Sequence, residues 1–174
     1  RRIRMGLDMY AYKIKKDLVG DKQVDVPLSR TAEEAVGYIH PTLEQEKAFT
    51  QEEHEQEVFK WKQAQKKIEE ENLLDPDFWY WRKFNHLHGW MKRLYQAKGG
   101  VDEEFNCSSV RLTLEDLDQL KKDIQDNKLV PEKGFFFGGS QLHPVDIERT
   151  LEFIEKSSEV LKTDTHAIFY TSWW

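Results

Sequence analysis

The sequence predicts an α+β fold, with a small, mainly antiparallel sheet, helices packed on one face and a charged helical insert. Strand-like alternation occurs at residues 7–14 and 166–174, near opposite ends of the chain. Between them, several segments have helical periodicity, but strands and helices do not alternate regularly as a parallel sheet requires. The length suits one domain, which we place at residues 5–174, with residues 43–75 as the insert.

Composition limits the classes of protein to consider. The single cysteine, Cys107, excludes an internal disulfide and favours a reducing, cytoplasmic location. No run is apolar and long enough for a membrane span, so we expect no membrane association. The net charge of −6 argues against general nucleic-acid binding. We expect residues 1–4 to be expression-derived or upstream sequence, with the natural start at Met5.

The first part of the chain combines one strand with loops. Residues 7–14 alternate, with Leu7 and Met9 pointing one way and Asp8 the other, which predicts a strand. Residues 15–41 contain several glycines and prolines and predict loops, with a short helix capped by Ser29 or Thr31.

The charged insert is the most polar part of the chain. Residues 43–75 contain ten acidic residues and five lysines. Thr50 and Glu53 have the spacing of a capping box, so we expect a long helix to begin there.

The segment Phe78–Lys98 is rich in aromatic residues and contains five basic and no acidic residues. Its periodicity predicts one central helix with Asn85 and His88 on the apolar face. Asp75 is the predicted N-cap and Pro76 the predicted first helical residue. We expect this helix to lie antiparallel to the acidic insert, so that their charges neutralise each other.

The remaining elements follow in order. Residues 107–112 predict a strand, and the capping-box pair Thr113 and Asp116 predicts a helix that ends near Asn127. Pro144 predicts the start of the last helix. The final alternating segment is expected inside the sheet or paired with the first strand.

Catalytic and metal signatures are absent from the sequence. His86 and His88 are two residues apart, so on a helix they cannot reach one ion from the same face, and we predict neither metal nor cofactor. Cys107 is interpreted as a small buried apolar residue. Gly138-Gly139-Ser140 lacks the lysine and the spacing of a phosphate-binding loop, so we interpret the glycine pair as a close backbone approach.

A polar pocket is the best-supported site in the sequence. Asn85 and His88 lie one turn apart on the apolar side of the predicted helix, where polar groups must find partners or line a cavity. The predicted pocket comprises Asp8, Arg82, Asn85, His88, Asn106, Tyr170 and Ser172. Two interpretations stay open: a hydrogen-bonded core network, or a ligand or acid–base site.

Nucleic-acid binding is a further alternative. Arg82, Lys83 and Lys92 are interleaved with Trp79 and Trp90 in the segment 78–98, and basic and aromatic side chains together can bind single strands. The acidic neighbouring segment makes this alternative weaker.

Four short segments of the sequence together resemble a known group of proteins. Residues 5–10 read MGLDMY, residues 81–90 WRKFNHLHGW, residues 134–138 GFFFG and residues 170–173 YTSW. Together they resemble a group of small bacteriophage and prophage proteins that open with this hexapeptide and have no established activity. The resemblance implies a phage setting and adds no catalytic residue. Residues 15–74 depart from the pattern, so the role of the charged helix is expected to be special to this chain.

Three functional hypotheses follow. The first is a non-enzymatic phage accessory protein that binds a host or phage protein. The second is a small enzyme or ligand-binding protein with the polar pocket around Asp8, Asn85 and His88. The third is single-stranded nucleic-acid binding through the segment 78–98. The sequence specifies no oligomeric state.

Overall fold

A four-stranded antiparallel sheet is the centre of the molecule and confirms the α+β class. The computed structural model describes residues 6–134 and 136–174. The strands are β1 (Asp8–Lys15), β2 (Leu74–Arg82), β3 (Ser109–Leu112) and β4 (His166–Trp173). Their order across the sheet is β2-β1-β4-β3, and every pairing is antiparallel.

The first and last strands form the middle of the sheet. β1 and β4 pair along their whole length, from Asp8 opposite Trp173 to Lys15 opposite His166. The predicted pairing of the two ends of the chain is therefore confirmed. Because side chains alternate along a strand, Met9, Ala11 and Tyr170 point to one face of the sheet and Asp8 and Thr171 to the other. We call these the inner and the outer face.

The predicted central helix is wrong in its first third. Residues 74–82 form β2, and the helix begins only at Asn85. Tryptophan and tyrosine favour strands, and here Trp79 and Trp81 stand opposite Ala11 and Met9 of β1. Asp75 is therefore not a helix cap, and Pro76 lies in an edge strand, where its missing N–H is tolerated.

Three helices cover the inner face. They are α5 (Asn85–Ala97), α6 (Leu114–Gln125) and α7 (Pro144–Lys162). The predicted capping box of α6 and the start of α7 at Pro144 are confirmed. The core residues contributed by these helices, which are buried against the inner face, include Leu87, Met91, Leu117, Leu120, Phe153 and Ile154.

Short helices cover one end of the outer face. These are α1 (Lys16–Val19) and α2 (Leu28–Ala35), whose Val19 and Leu28 pack with Phe169 of β4. The N-cap of α2 is Pro27, so the prediction of Ser29 or Thr31 as its cap is wrong.

The charged insert contains two helices. α3 (Leu43–Ala48) and α4 (Gln51–Glu70) both begin with complete capping boxes, and the predicted one at Thr50 and Glu53 is confirmed. The last two residues of the predicted insert, 74 and 75, belong to β2 instead.

The expected charge neutralisation between insert and basic segment is not formed. Lys98, directly after α5, pairs with Asp116 at 2.5 Å, and Lys92 of α5 pairs with Glu132 at 3.8 Å. Lysines of α4 pair within their own helix, as Lys60 does with Glu57. α4 packs against α2 and β2.

Some sequence-based predictions fall on residues that the structure does not describe. The predicted start at Met5, the upstream residues 1–4 and Phe135 in the segment 134–138 of the resemblance lie outside the described ranges.

We expect Gly100→Ala to destabilise the fold. A methyl group at Gly100 would lie 2.3 Å from the ring of Tyr95, which is fully buried and donates a hydrogen bond to Asp25 at 2.9 Å. Forcing such a ring to move lowers the free energy of unfolding by about 1–3 kcal/mol. Urea denaturation followed by tryptophan fluorescence measures this. Gly139→Ala is the matched control, because its added methyl has no contact closer than 4.0 Å; equal stability of the two variants would contradict the prediction.

Candidate functional site

The seven residues of the predicted polar pocket do not line one cavity. Asp8 and Arg82 belong to the outer face of the sheet, whereas Tyr170 and Ser172 belong to the inner face. Asn106 lies in the loop before β3. The structure therefore divides the predicted pocket among three places, and each group of residues has its own hydrogen-bond partners.

His88 is at the centre of the inner-face group. Asn85 and His88 are buried, as predicted, with 2% and 0% exposure. Nδ1 of His88 lies 2.8 Å from the hydroxyl of Tyr170, and its ring stacks on Phe105 at 5.3 Å. Nε2 is buried without a hydrogen-bond partner among the described residues. Burial lowers the pKa of His88 to about 4, and the positive charge of Lys92 adds to this. The imidazole is therefore neutral near neutral pH and is poorly placed for proton transfer with solvent.

The side chain of Asn85 fixes the loop at residues 132–139, between α6 and α7. Its amide nitrogen donates to the carbonyls of Phe137 at 3.1 Å and Gly139 at 2.7 Å. Its amide oxygen accepts from the N–H of Glu132 at 3.1 Å. Three hydrogen bonds to backbone explain why this polar side chain is buried at the start of α5.

The remaining inner-face and loop residues hold the end of the chain. Asn106 donates to the carbonyl of Trp174 at 2.9 Å and accepts from its N–H at 3.2 Å. The Ser172 hydroxyl donates to the carbonyl of Phe105 at 3.3 Å. Both side chains fasten β4 to the loop before β3.

Asp8 is held on the outer face. Its carboxylate accepts a hydrogen bond from the Tyr80 hydroxyl at 2.5 Å and lies 3.9 Å from Nε of Arg82. Burial, followed by the hydrogen bond to Asp8, raises the pKa of Tyr80 to about 12. Asp8 therefore ties the edge strand β2 to β1.

A cleft of about 750 Å³ lies between the outer face and the segment containing α2 and α3. Tyr12 and Thr171 contribute from the sheet, and Arg30, Glu33 and His40 from the opposite wall. The buried Glu33 carboxylate accepts hydrogen bonds from three side chains of the insert and its flank: His40 at 2.6 Å, Trp61 at 3.0 Å and Gln65 at 2.8 Å. These bonds fix α4 to α2.

Cys107 opens onto the same cleft and is exposed, so its prediction as a buried residue is wrong. Partial desolvation of the thiol by its neighbours, followed by the negative charge of Asp102, raises the pKa of Cys107. A raised pKa reduces the thiolate fraction, so nothing in this environment activates the thiol as a nucleophile.

Exposed apolar side chains are concentrated in the segment 39–61, which we call the acidic arm. The exposed fractions are 77% for Ile39, 74% for Leu43, 49% for Val58, 61% for Phe59 and 39% for Trp61. Half of the ten exposed large apolar residues in the described part of the chain are therefore in these 23 positions. Residues 43–57 contain six glutamates and one lysine.

The acidic arm also contains an apolar groove of about 230 Å³. Tyr38, Phe49, Val58 and Trp61 supply its apolar surface, and Glu57 supplies a carboxylate. Burial and a hydrogen bond to Glu57 raise the pKa of Tyr38 to about 12, so its hydroxyl stays protonated. The groove offers a place for an apolar side chain of another molecule beside negative charge.

The basic and aromatic groups needed for the nucleic-acid alternative are separated. Trp79 is in β2 and packs on Phe153 at 5.8 Å, whereas Trp90 is in α5 and donates to Asp123 at 2.9 Å. Lys92 and Lys98 are paired with carboxylates. The continuous helix that would have combined these groups is not formed.

The described residues, 6–134 and 136–174, contain no group of three or more histidine, cysteine, aspartate or glutamate side chains arranged to hold a metal ion. No helix within them combines the length and the apolarity needed to cross a bilayer.

Comparisons with protein-family models, curated proteins and solved structures found no match to this chain. The site must therefore be argued from its own residues.

None of the predicted site residues lies in the acidic arm. The sequence places Val58, Trp61 and Ile68 on a narrow apolar stripe of the charged helix, and apolar residues at helical spacing usually indicate a buried face. The available signal in the sequence was that the stripe is short compared with the long helix that carries it. In the structure this helix, α4, has twenty residues, of which only Ala64 and Ile68 are buried. Glu33 fixes α4 through hydrogen bonds from Trp61 and Gln65, which are distant in the sequence, so no local sequence pattern predicted this role.

We expect His88 to make the stability depend on pH. Between about pH 6.5 and pH 4 the unfolded chain binds more protons at residue 88 than the folded chain, so the free energy of unfolding falls as the pH is lowered. Across the whole interval the loss is about 3 kcal/mol. His88→Gln keeps an acceptor for the Tyr170 hydroxyl but has no such titration, so its stability should fall less.

Urea denaturation at several pH values in this interval measures the difference between wild type and His88→Gln. His54→Gln, which changes an exposed histidine of α4, is the control and should follow the wild type. Parallel pH curves for wild type and His88→Gln would show that His88 is not the group responsible.

Proposed function

We propose that this chain is a non-enzymatic phage accessory protein that works in the host cytoplasm by docking its acidic arm on a host or phage protein. The partner we expect presents lysine or arginine side chains around an apolar patch. The observation that carries the proposal is the concentration of exposed apolar side chains within an acidic segment. The phage setting rests on the resemblance of the four sequence segments alone, and the cytoplasmic location rests on the single cysteine.

Exposed apolar residues support docking because isolated ones are common on surfaces but grouped ones mark interaction sites. Phe59 is 61% exposed in the middle of α4. Glu52 and Glu55 precede it by seven and four residues, which places all three on one face of the helix. An aromatic side chain beside carboxylates is suited to a partner with an apolar contact and basic neighbours, because complementary charges guide association.

The position of the arm also supports docking. Glu33 fixes α4 through Trp61 and Gln65, so the helix is held on the protein while its first half remains exposed. A helix that is already ordered loses less conformational entropy on binding than a disordered segment does. The arm therefore presents a preformed surface.

We expect Phe59→Ser to weaken the capture of the partner at least fivefold, because truncating a central aromatic contact costs more than about 1 kcal/mol of binding free energy. Tagged wild-type and variant chains are used to capture proteins from infected host cells, and retained proteins are quantified by mass spectrometry. Glu52→Lys combined with Glu55→Lys should weaken the same capture, because it reverses charge beside Phe59.

Val145→Ser is the matched control, because Val145 is 63% exposed and lies on α7, outside the acidic arm. It should retain the same proteins as wild type. Equal melting temperatures of the variants establish that folding is unchanged. Retention of identical amounts by wild type, Phe59→Ser and the charge-reversed variant would refute docking through the arm.

A further inference from the structure

Three aromatic rings line the apolar groove of the acidic arm. They belong to Tyr38 in the segment after α2, Phe49 directly after α3 and Trp61 in α4, and they surround a volume of about 230 Å³. A water molecule in the liquid occupies about 30 Å³, so the groove has room for a group several times larger than water. Three elements of the chain therefore place aromatic surface around one small space.

Contacts with neighbouring side chains hold each ring in place. The rings of Tyr38 and Phe49 each pack edge-to-face against a histidine, with ring centroids 5.0 Å and 5.6 Å apart. The indole N–H of Trp61 donates a hydrogen bond to the buried Glu33 carboxylate at 3.0 Å. Because the rings are held without a ligand, binding in the groove costs little ordering of the protein.

The groove carries negative charge. Its lining residues include two carboxylates, from Glu46 and Glu57, two histidines and neither lysine nor arginine. Glu46 forms no ion pair with any residue in the described ranges. Glu57 lies 3.6 Å from Nζ of Lys60, whose side chain is 64% exposed, and exposed pairs of this kind contribute little free energy. Both carboxylates are therefore available to a cation that enters the groove.

Tyr38 occupies only part of the hydrogen-bonding capacity of Glu57. Its hydroxyl is hydrogen-bonded to the Glu57 carboxylate. A carboxylate has two oxygens with about four acceptor positions, so Glu57 can accept further hydrogen bonds from a ligand. The same carboxylate therefore positions one ring of the groove and faces the space between the rings.

We propose that this groove receives an arginine side chain of the partner on which the acidic arm docks, an inference that rests on the proposed function. Cations are attracted to the faces of aromatic rings, most strongly to tryptophan. Arginine suits the groove better than lysine, because its planar guanidinium stacks on rings and presents several N–H donors to carboxylates. Its methylene stem can pack on apolar surface such as Val58, which also lines the groove.

Titration of the isotope-labelled full chain with N-acetylarginine amide, followed by NMR, tests the proposal without a partner protein. Saturable shifts are expected at the indole N–H of Trp61 and at the backbone N–H groups of residues 49 and 57. N-acetylcitrulline amide has nearly the same shape but no charge and should bind at least about fivefold more weakly. N-acetyllysine amide with a free ε-amino group should also bind more weakly than the arginine compound.

Two results would overturn the proposal. The first is equal binding of the arginine and citrulline compounds, or no saturable shift with either, because positive charge would then not be recognised in the groove. The second is binding of the lysine compound as tight as that of the arginine compound, because the planar guanidinium would then give no advantage.

Three variants connect the binding to this groove. Glu57→Gln should weaken binding of N-acetylarginine amide about tenfold, because one charge-assisted hydrogen bond is lost while an acceptor for Tyr38 is kept. Phe49→Leu should weaken it about threefold, because the apolar contact is kept but the aromatic face is lost. Glu70→Gln is the matched control, because it removes a 62% exposed carboxylate of α4 that does not line the groove. It should leave the affinity within about a factor of two.

Equal weakening by Glu57→Gln and Glu70→Gln would show diffuse attraction to the acidic surface and contradict a defined site. Equal melting temperatures establish that the variants are folded. This test and the capture experiment can fail separately. Absence of arginine binding refutes the groove and leaves capture through Phe59 unaffected. Saturable arginine binding together with identical capture by wild type and Phe59→Ser would refute the docking function alone.

Discussion

The junction between β2 and α5 is the constraint on which the arrangement of the molecule depends. Lys83 adopts a left-handed backbone conformation, and its N–H bonds to Leu7 at the start of β1. A residue other than glycine accepts this conformation at a cost, which the surrounding contacts must offset. The junction stops the strand, starts the helix and places two tryptophans of β2 against the inner core.

The position of that junction also explains why the residues of the predicted polar pocket lie in separate parts of the structure. Once β2 ends at Arg82, Asn85 is at the start of α5, within reach of the loop that it clamps, and His88 lies one turn later against Tyr170. Asp8 belongs to the opposite face because it alternates with Met9. The hydrogen bonds of these side chains stabilise the connection between the sheet, α5 and the end of the chain. The exposed apolar side chains of the acidic arm lie elsewhere.

The sequence was informative where local patterns decide structure. Alternation located β1 and β4, and capping boxes located the starts of α4 and α6. It failed at residues 74–84, where the helical spacing of aromatic residues competed with their preference for strands. Pairing with β1 decided the outcome, and the paired residues of the two strands are sixty or more positions apart in the sequence. Of the predicted site residues, the burial of Asn85 and His88 could be read from helical periodicity. The separation of these two residues from Asp8 could not be predicted from the sequence, because this separation depends on the strand register across the sheet.

Site-specific photocrosslinking in infected host cells tests docking through the acidic arm most directly. A photoreactive amino acid replaces Phe59 in one version of the chain and Val130, which is 51% exposed and outside the arm, in another. The docking proposal predicts an adduct of one defined mass from position 59 that is absent from position 130 and disappears when Glu52 and Glu55 are changed to lysine. No adduct at position 59, or the same adducts from both positions, would contradict it.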